Sequence, residues 1–171
     1  MSNEVIIALG SNLGDPKHNL DQAVKALSLV LDKLLIVSSY WQSQPMNMAA
    51  SADKFLNAVL VVNTSLGPHD LLRTLEEIER VLGRDKEKSG TEKRNRIYDS
   101  RIIDLDIIAF GNLVLCDAKL IIPHPRARER LFVLLPLAEI CPDFCFPDQK
   151  LSLAELITQA PKMEITVQGY S

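Results

Sequence analysis

Apolar residues along the chain alternate between two spacings, and the switches between them mark the elements. Residues 4–9 (EVIIAL), five apolar residues in a row after Glu4, predict a buried strand. Gly10 to Gly14 reads as a turn. Asp15 followed by Pro16 is a helix start, an acceptor side chain ahead of a proline at the first helical position. Leu20, Ala23, Val24, Leu27, Leu31 and Leu34 then recur at helical spacing. Residues 35–41 predict a second strand, residues 43–54 a polar loop of small residues, and residues 55–64 (FLNAVLVVNT) a third strand. Gly67-Pro68 opens a second helix over residues 68–82, which Gly83 ends.

Residues 84–101 break the pattern. They carry charge without periodicity and predict a long, mobile loop. Residues 102–110 predict a fourth strand, with Gly111-Asn112 as a hairpin turn into residues 113–116. A Pro123-His124-Pro125 segment precedes a helix at residues 131–140, and the tail from Leu151 predicts a helix and then an edge segment. Strands in adjacent pairs with helices between them indicate an α+β sandwich, an antiparallel sheet with helices packed on it. The GSNLG turn lacks the GxGxxG spacing of a dinucleotide fold.

Composition narrows the class without naming a function. The 171 residues, 47% hydrophobic and 24% charged, suit a single globular domain over residues 1–171. Neither the longest uncharged run nor the longest apolar one has the character of a membrane span, and no secretory leader is evident. Three cysteines, none in a CxxC pair, point away from a disulfide framework and toward a reducing cytoplasm. A net charge of −3 does not suit a nucleic-acid coat.

The distribution of charge says more than its sum. On the fourth strand, alternation puts Ile102, Asp104, Asp106 and Ile108 on one face. A solvated outer face is the ordinary account of strand charges, but isoleucines flank these two acids on the same face. Two carboxylates about 6.6 Å apart along a strand can hold one cation, or a pair between them. Oxygen-only ligands in so open a set suit Mg²⁺, which takes its remaining ligands from water and phosphate. Residues 84–101 hold seven basic and four acidic side chains, a local reversal of the overall sign. A basic loop beside a carboxylate pair resembles a polyphosphate site.

Other residues stand out by position. Relative to Leu75, Leu71, Leu72, Ile78 and Leu82 of the second helix fall within about 60°, and Glu79 falls inside that stripe at about 40°. It is either a carboxylate escaping to water or an acceptor for a bound polar group. His124 lies on a stiff backbone, with Arg126, Arg128 and Arg130 at every second position and Phe132 close behind. Phe55 and Asn57 share a face of the third strand, as core residues or as a cradle for a planar heterocycle.

Together these residues resemble the hydroxymethyldihydropterin pyrophosphokinase family of folate biosynthesis. The carriers are ALGSNL from Ala8, YWQSQP from Tyr40, FLNA from Phe55, IERVLGR from Ile78, RIIDLDIIAFG from Arg101, IPH from Ile122 and the segment from Arg130 to Asp148. The resemblance implies a ferredoxin-like α+β fold and a monomer. It implies transfer of pyrophosphate from ATP to a reduced pterin, releasing AMP. Asp104 and Asp106 would hold two Mg²⁺ ions. Phe55 and Phe132 would sandwich the pterin and Asn57 would bond its edge, with Ser43, Pro45, Met46 and Tyr98 in the same pocket. Glu79, Arg84, Lys86, Arg101, Lys119, His124 and Arg130 would contact the nucleotide, and Arg84 and Arg101 would also serve catalysis. The basic loop would close over ATP. The chain departs from the family pattern at Tyr98-Asp99-Ser100, where Trp-Gly-Pro is usual, at Lys86 in place of an arginine, at Pro125 in place of an aromatic residue, and in a longer loop. Two other classes fit the residues alone: a Mg²⁺-dependent kinase or nucleotidyltransferase with another acceptor, and a module that grips RNA through the basic loop.

Overall fold

A computed structural model describes residues 2–44, 54–83 and 102–168. Its centre is an antiparallel sheet of β1 (Asn3–Ser11), β2 (Lys33–Val37), β3 (Trp41–Ser43), β4 (Phe55–Thr64), β5 (Asp104–Phe110) and β8 (Ile165–Val167). Two short strands, β6 (Leu115–Cys116) and β7 (Ile121–Ile122), form a separate ribbon. The order across the main sheet is β5-β1-β4-β3-β8, and β2 also pairs with β4. Helices α1 (Pro16–Val30) and α2 (Pro68–Val81) cover one face; α3 (Leu131–Ile140) and α4 (Leu153–Gln159) cover the other.

Two cores follow from strand alternation. Val5, Ile7, Leu9, Leu105 and Ile107 point toward α1 and α2. Ile6, Val59, Val61 and Ile108 point toward α3 and α4. Each buried face removes apolar area from water, which is the main force holding helices to sheet. The two-sided packing is the α+β sandwich that the pattern predicts.

The helix ends obey local chemistry. The Asp15 carboxylate accepts the His18 N–H at 3.0 Å, and Pro16 follows it at the start of α1. Gly83 takes φ +110°, a left-handed conformation open to glycine. A Cβ there would also meet the Ile102 side chain at 2.9 Å, so this glycine lets the end of α2 lie against the residues leading into β5. Ser152 and Glu155 cap α4 reciprocally.

Several boundaries differ from the sequence pattern. Leu34 belongs to β2 and not to the first helix, because α1 ends at Val30 with Leu31 as its cap. The predicted strand at residues 35–41 is two strands, β2 and β3, which pair with opposite ends of β4. Gly111 turns the chain at φ +50°, but the following segment leaves the main sheet and β6 pairs with β7. Asp117 ties that ribbon's turn by accepting the N–H groups of Lys119 and Leu120 at 2.8 and 2.9 Å. The turn expected at Gly10 begins later, since Gly10 and Ser11 pair with Asn57 and Leu56. The edge segment predicted for the tail is β8. The basic stretch at residues 84–101 lies outside the described residues.

Candidate active site

The sheet register assembles the site on the face toward α3. Gly10 of β1 pairs with Asp104 of β5 on one side and Asn57 of β4 on the other. Ala8 likewise pairs with Asp106 and Val59. Directly opposed residues share a face. Two small residues therefore form the floor between a carboxylate pair and a polar amide. Above that floor lies a cavity of about 200 Å³ lined by Asp104, Asp106, His124, Arg126, Arg130 and Phe132, and by Ser43, Gln44, Phe55 and Asn57.

The carboxylate end carries opposed charges. Arg130 Nη1 lies 3.8 Å and His124 Nε2 lies 3.9 Å from Asp106 Oδ2. The Asp106 side chain is 37% exposed, which leaves its oxygens reachable from the cavity. The Arg130 guanidinium stands over the Phe132 ring, 5.5 Å from its centroid, so cation and aromatic face hold one another in place.

His124 is fixed by its backbone and its ring. Its N–H donates to the Ile108 carbonyl at 3.0 Å, tying the Pro123–Pro125 segment to β5. Nδ1 accepts the Arg126 N–H at 3.2 Å, which leaves Nε2 to carry the proton on the side of Asp106. Burial, then the charges of Arg130 and Arg126, push its pKa down from 6.5 to about 4 against the opposing pull of Asp104. At neutral pH it is an uncharged donor.

The amide end is buried, and its donor is satisfied. Asn57 Nδ2 donates to Ser43 Oγ at 2.9 Å and to the Trp41 carbonyl at 3.2 Å. Phe55 and Phe132 both line the cavity there.

The structure thus brings together Ser43, Phe55, Asn57, Asp104, Asp106, His124, Arg130 and Phe132. Glu79 stands elsewhere: it is buried on α2, and its Oε1 accepts the Leu105 N–H of β5 at 2.7 Å. Lys119 lies exposed in the ribbon turn. Neither lines the cavity. Pro45, Met46, Arg84, Lys86, Tyr98 and Arg101 lie outside the described residues. The sequence pattern does not single out Ala8, Gly10 and Gln44 as cavity residues. The signal for the floor is a pair of small residues, Ala8 and Gly10, two apart on a strand face whose other residues, Glu4 and Ile6, are larger.

The donor set at the carboxylate end suits a cation site with an open coordination shell. Among the described residues, no group of three or more His, Cys, Asp or Glu side chains could enclose an ion. Two carboxylates on one strand face, opening to a cavity, suit a hard cation that completes its shell with phosphate oxygens and water. The same arrangement does not suit zinc, which requires a closed or nearly closed set of protein ligands. No helix among the described residues is long and apolar enough to cross a membrane.

Comparison with known proteins gives a consistent picture. The model of the family described as 7,8-dihydro-6-hydroxymethylpterin-pyrophosphokinase (HPPK) matches residues 6–142. The chain is 41% identical over 145 residues to the 2-amino-4-hydroxy-6-hydroxymethyldihydropteridine pyrophosphokinase of Bacillus subtilis, covering 82% of this chain and 80% of that protein. It is 37% identical over 154 residues to the same-named protein of Haemophilus influenzae, covering 90% of each. Among solved structures, the wild-type Plasmodium falciparum HPPK-DHPS with STZ-DHP superposes with a TM-score of 0.73 at 14% identity. The alignment covers 93% of this chain and 43% of that one. That likeness bears on the fold, which is ferredoxin-like α+β: with β2 and β3 counted as one interrupted strand, the sheet order is fourth, first, third, second.

Proposed function

Because the chain belongs to the 7,8-dihydro-6-hydroxymethylpterin-pyrophosphokinase family, we propose that its cavity seats a reduced pterin at the Phe55–Asn57–Phe132 end and the ATP phosphates at the Asp104–Asp106–His124–Arg130 end. The activity is transfer of pyrophosphate from ATP to 6-hydroxymethyl-7,8-dihydropterin, giving the pterin pyrophosphate and AMP, a step of folate biosynthesis. The observation that carries the placement is the register row Asp104–Gly10–Asn57. It sets an anion-rich wall and a buried amide on one face, separated by a floor that has no side chain at its centre.

In the reaction, the pterin hydroxyl oxygen forms a bond to the β-phosphorus, and the bond from that phosphorus to the oxygen bridging to the α-phosphorus breaks. The hydroxyl proton is lost and AMP leaves with the bridging oxygen. Such a transfer asks the protein chiefly for placement and charge neutralisation. Asp104 and Asp106 would hold two Mg²⁺ ions, which when bound neutralise phosphate charge and polarise the phosphorus centre. Arg130 adds a fixed cation beside Asp106. His124 presents a neutral Nε2–H, a donor that phosphate oxygens can accept without a proton being exchanged. Phe55 and Phe132 supply apolar ring faces for a flat heterocycle, and Asn57 with Ser43 supplies the polar edge.

Arg84 and Arg101 are proposed to neutralise the leaving AMP. Lys86, Lys119 and Glu79 are proposed as nucleotide contacts, with Pro45, Met46 and Tyr98 in the pterin pocket. We further read residues 1–171 as one monomeric, cytoplasmic domain with no nucleic-acid or membrane partner. The three free cysteines support a reducing compartment. Kinetics of Asn57→Ala test the pterin placement. It should raise KM for the pterin at least about tenfold while KM for ATP holds, since a buried polar partner is lost. Unchanged pterin KM overturns the placement.

A further inference from the structure

Glu139, near the end of α3, reaches across to the strand that carries Ser43. Its Oε1 accepts the Ser39 N–H at 2.8 Å and the Ser39 hydroxyl at 2.7 Å. Its Oε2 accepts the Trp41 indole N–H at 2.9 Å. Burial raises the pKa of this carboxyl, but the Ser39 and Trp41 donors together outweigh that and hold it below the ordinary value. Each carboxylate oxygen is therefore occupied by β3 or the residues leading into it.

β3 in turn governs Asn57. Both acceptors of the Asn57 amide nitrogen, Ser43 Oγ and the Trp41 carbonyl, belong to β3. With the nitrogen so engaged, the remaining polar atom is Oδ1, and it lies toward Gly10: a Cβ built on Gly10 would sit 3.6 Å from it. Asn57 thus offers the cavity an acceptor. β3 is only three residues long, and its outer neighbour β8 is equally short, so backbone pairing alone anchors it weakly. The charge-assisted bonds to Glu139 add an anchor from a helix of the second core.

We propose that Glu139 is a positioning residue for pterin selection: by holding Trp41 it fixes β3, and through β3 it keeps the Asn57 oxygen turned toward the bound ring edge, which must then present N–H donors. This rests on the reading that the pterin occupies the Asn57 end of the cavity. Glu139 touches neither substrate nor the reacting phosphorus in that reading, and it acts only through Trp41 and Asn57.

The chain contains one tryptophan, Trp41, so its fluorescence reports this contact directly. Glu139→Gln keeps the size of the side chain and an oxygen for Ser39 but turns an amide N–H against the indole N–H. Losing one charge-assisted bond should raise KM for 6-hydroxymethyl-7,8-dihydropterin about five- to tenfold. Under the same conditions kcat and KM for ATP should stay within about twofold, and Trp41 emission should shift. Trp41→Phe should give the same KM split, and the double variant should lose no more than either single one, as residues acting through one bond do. If Glu139→Gln does not fold, the split in Trp41→Phe decides alone. An emission shift with unchanged pterin KM overturns the proposal. So does a parallel rise of both KM values with a lowered Tm, which marks a purely structural contact. If the wild-type chain shows no pterin-dependent turnover, the pocket assignment itself falls; if it does and the variants match it, only the positioning role falls.

Discussion

Gly10 and Asp104 face one another across the β1–β5 register, and Asn57 is the neighbour of Gly10 on its other side. The glycine is what lets the carboxylate wall and the amide end share one open floor. Its backbone needs no left-handed conformation, so the requirement is space. A single Cβ meets Asn57 Oδ1 at an ordinary 3.6 Å, and Gly10→Ala should fold and retain activity. Gly10→Val adds two methyl groups over the floor. It should weaken pterin binding about tenfold or more, the scale of a small overpacking penalty, with Tm little changed. Normal pterin affinity in Gly10→Val would remove the floor from the site.

Asp104→Asn and Asp106→Asn keep shape and remove charge. Each should lower kcat by about two to three orders of magnitude at saturating Mg²⁺, since one element of transition-state charge neutralisation goes with it. Thermal unfolding should show Tm unchanged or raised, because two like charges on one strand face repel. A large fall in Tm together with turnover would assign these residues to the fold instead.

His124 predicts a pH signature. Its folded pKa is near 4 and its ordinary value is 6.5. Between those values the unfolded chain binds a proton that the folded chain does not, so stability falls as pH drops from 6.5 toward 4. Carboxylates held low in the fold, such as Glu139 with its ordinary value of 4.5, lose their contribution only below that. Over pH 6.5 to 4.5 the slope of Tm against pH therefore reports His124. His124→Asn, which can still accept the Arg126 N–H, should flatten it. An unchanged slope would contradict the buried neutral imidazole.

Glu79 predicts a stability effect. It is only 2% exposed and accepts the Leu105 N–H at 2.7 Å. Glu79→Ala leaves that donor without its acceptor and opens a void under α2, at a cost of about 2–4 kcal/mol in urea unfolding. A neutral result would mean that the carboxylate does not support β5.

How far the sequence shows this site depends on the range of each signal. Asp104 and Asp106 were legible because period-two alternation placed them between isoleucines, and Ile108 indeed packs in the second core. Glu79 was legible as a misfit on an apolar stripe, but its partner lies 26 residues on, in another element. Gly10 reads as the start of a turn because Gly-Ser-Asn has local turn chemistry, whereas pairing with β4 carries β1 through to Ser11. Leu34 followed the helical period of α1 but was claimed by β2, where pairing with Val62 outweighs one more turn of helix. Glu139 gave no signal beyond one charge after an apolar run, since its Trp41 partner is 98 residues away. Arg126 stood in a row of alternate arginines, and only the fold separates it, facing the cavity, from Arg128, which pairs with Asp148.

This cavity is proposed to move pyrophosphate from ATP to a pterin through its carboxylate wall. The most direct measurement is nucleotide product analysis with Mg²⁺, with and without 6-hydroxymethyl-7,8-dihydropterin, in the wild-type chain and in Asp104→Asn and Asp106→Asn. AMP should appear only with the pterin, in equal amount with the pterin pyrophosphate, and should nearly vanish in both variants. ADP as the product, or AMP formed at the wild-type rate in either variant, would contradict the account.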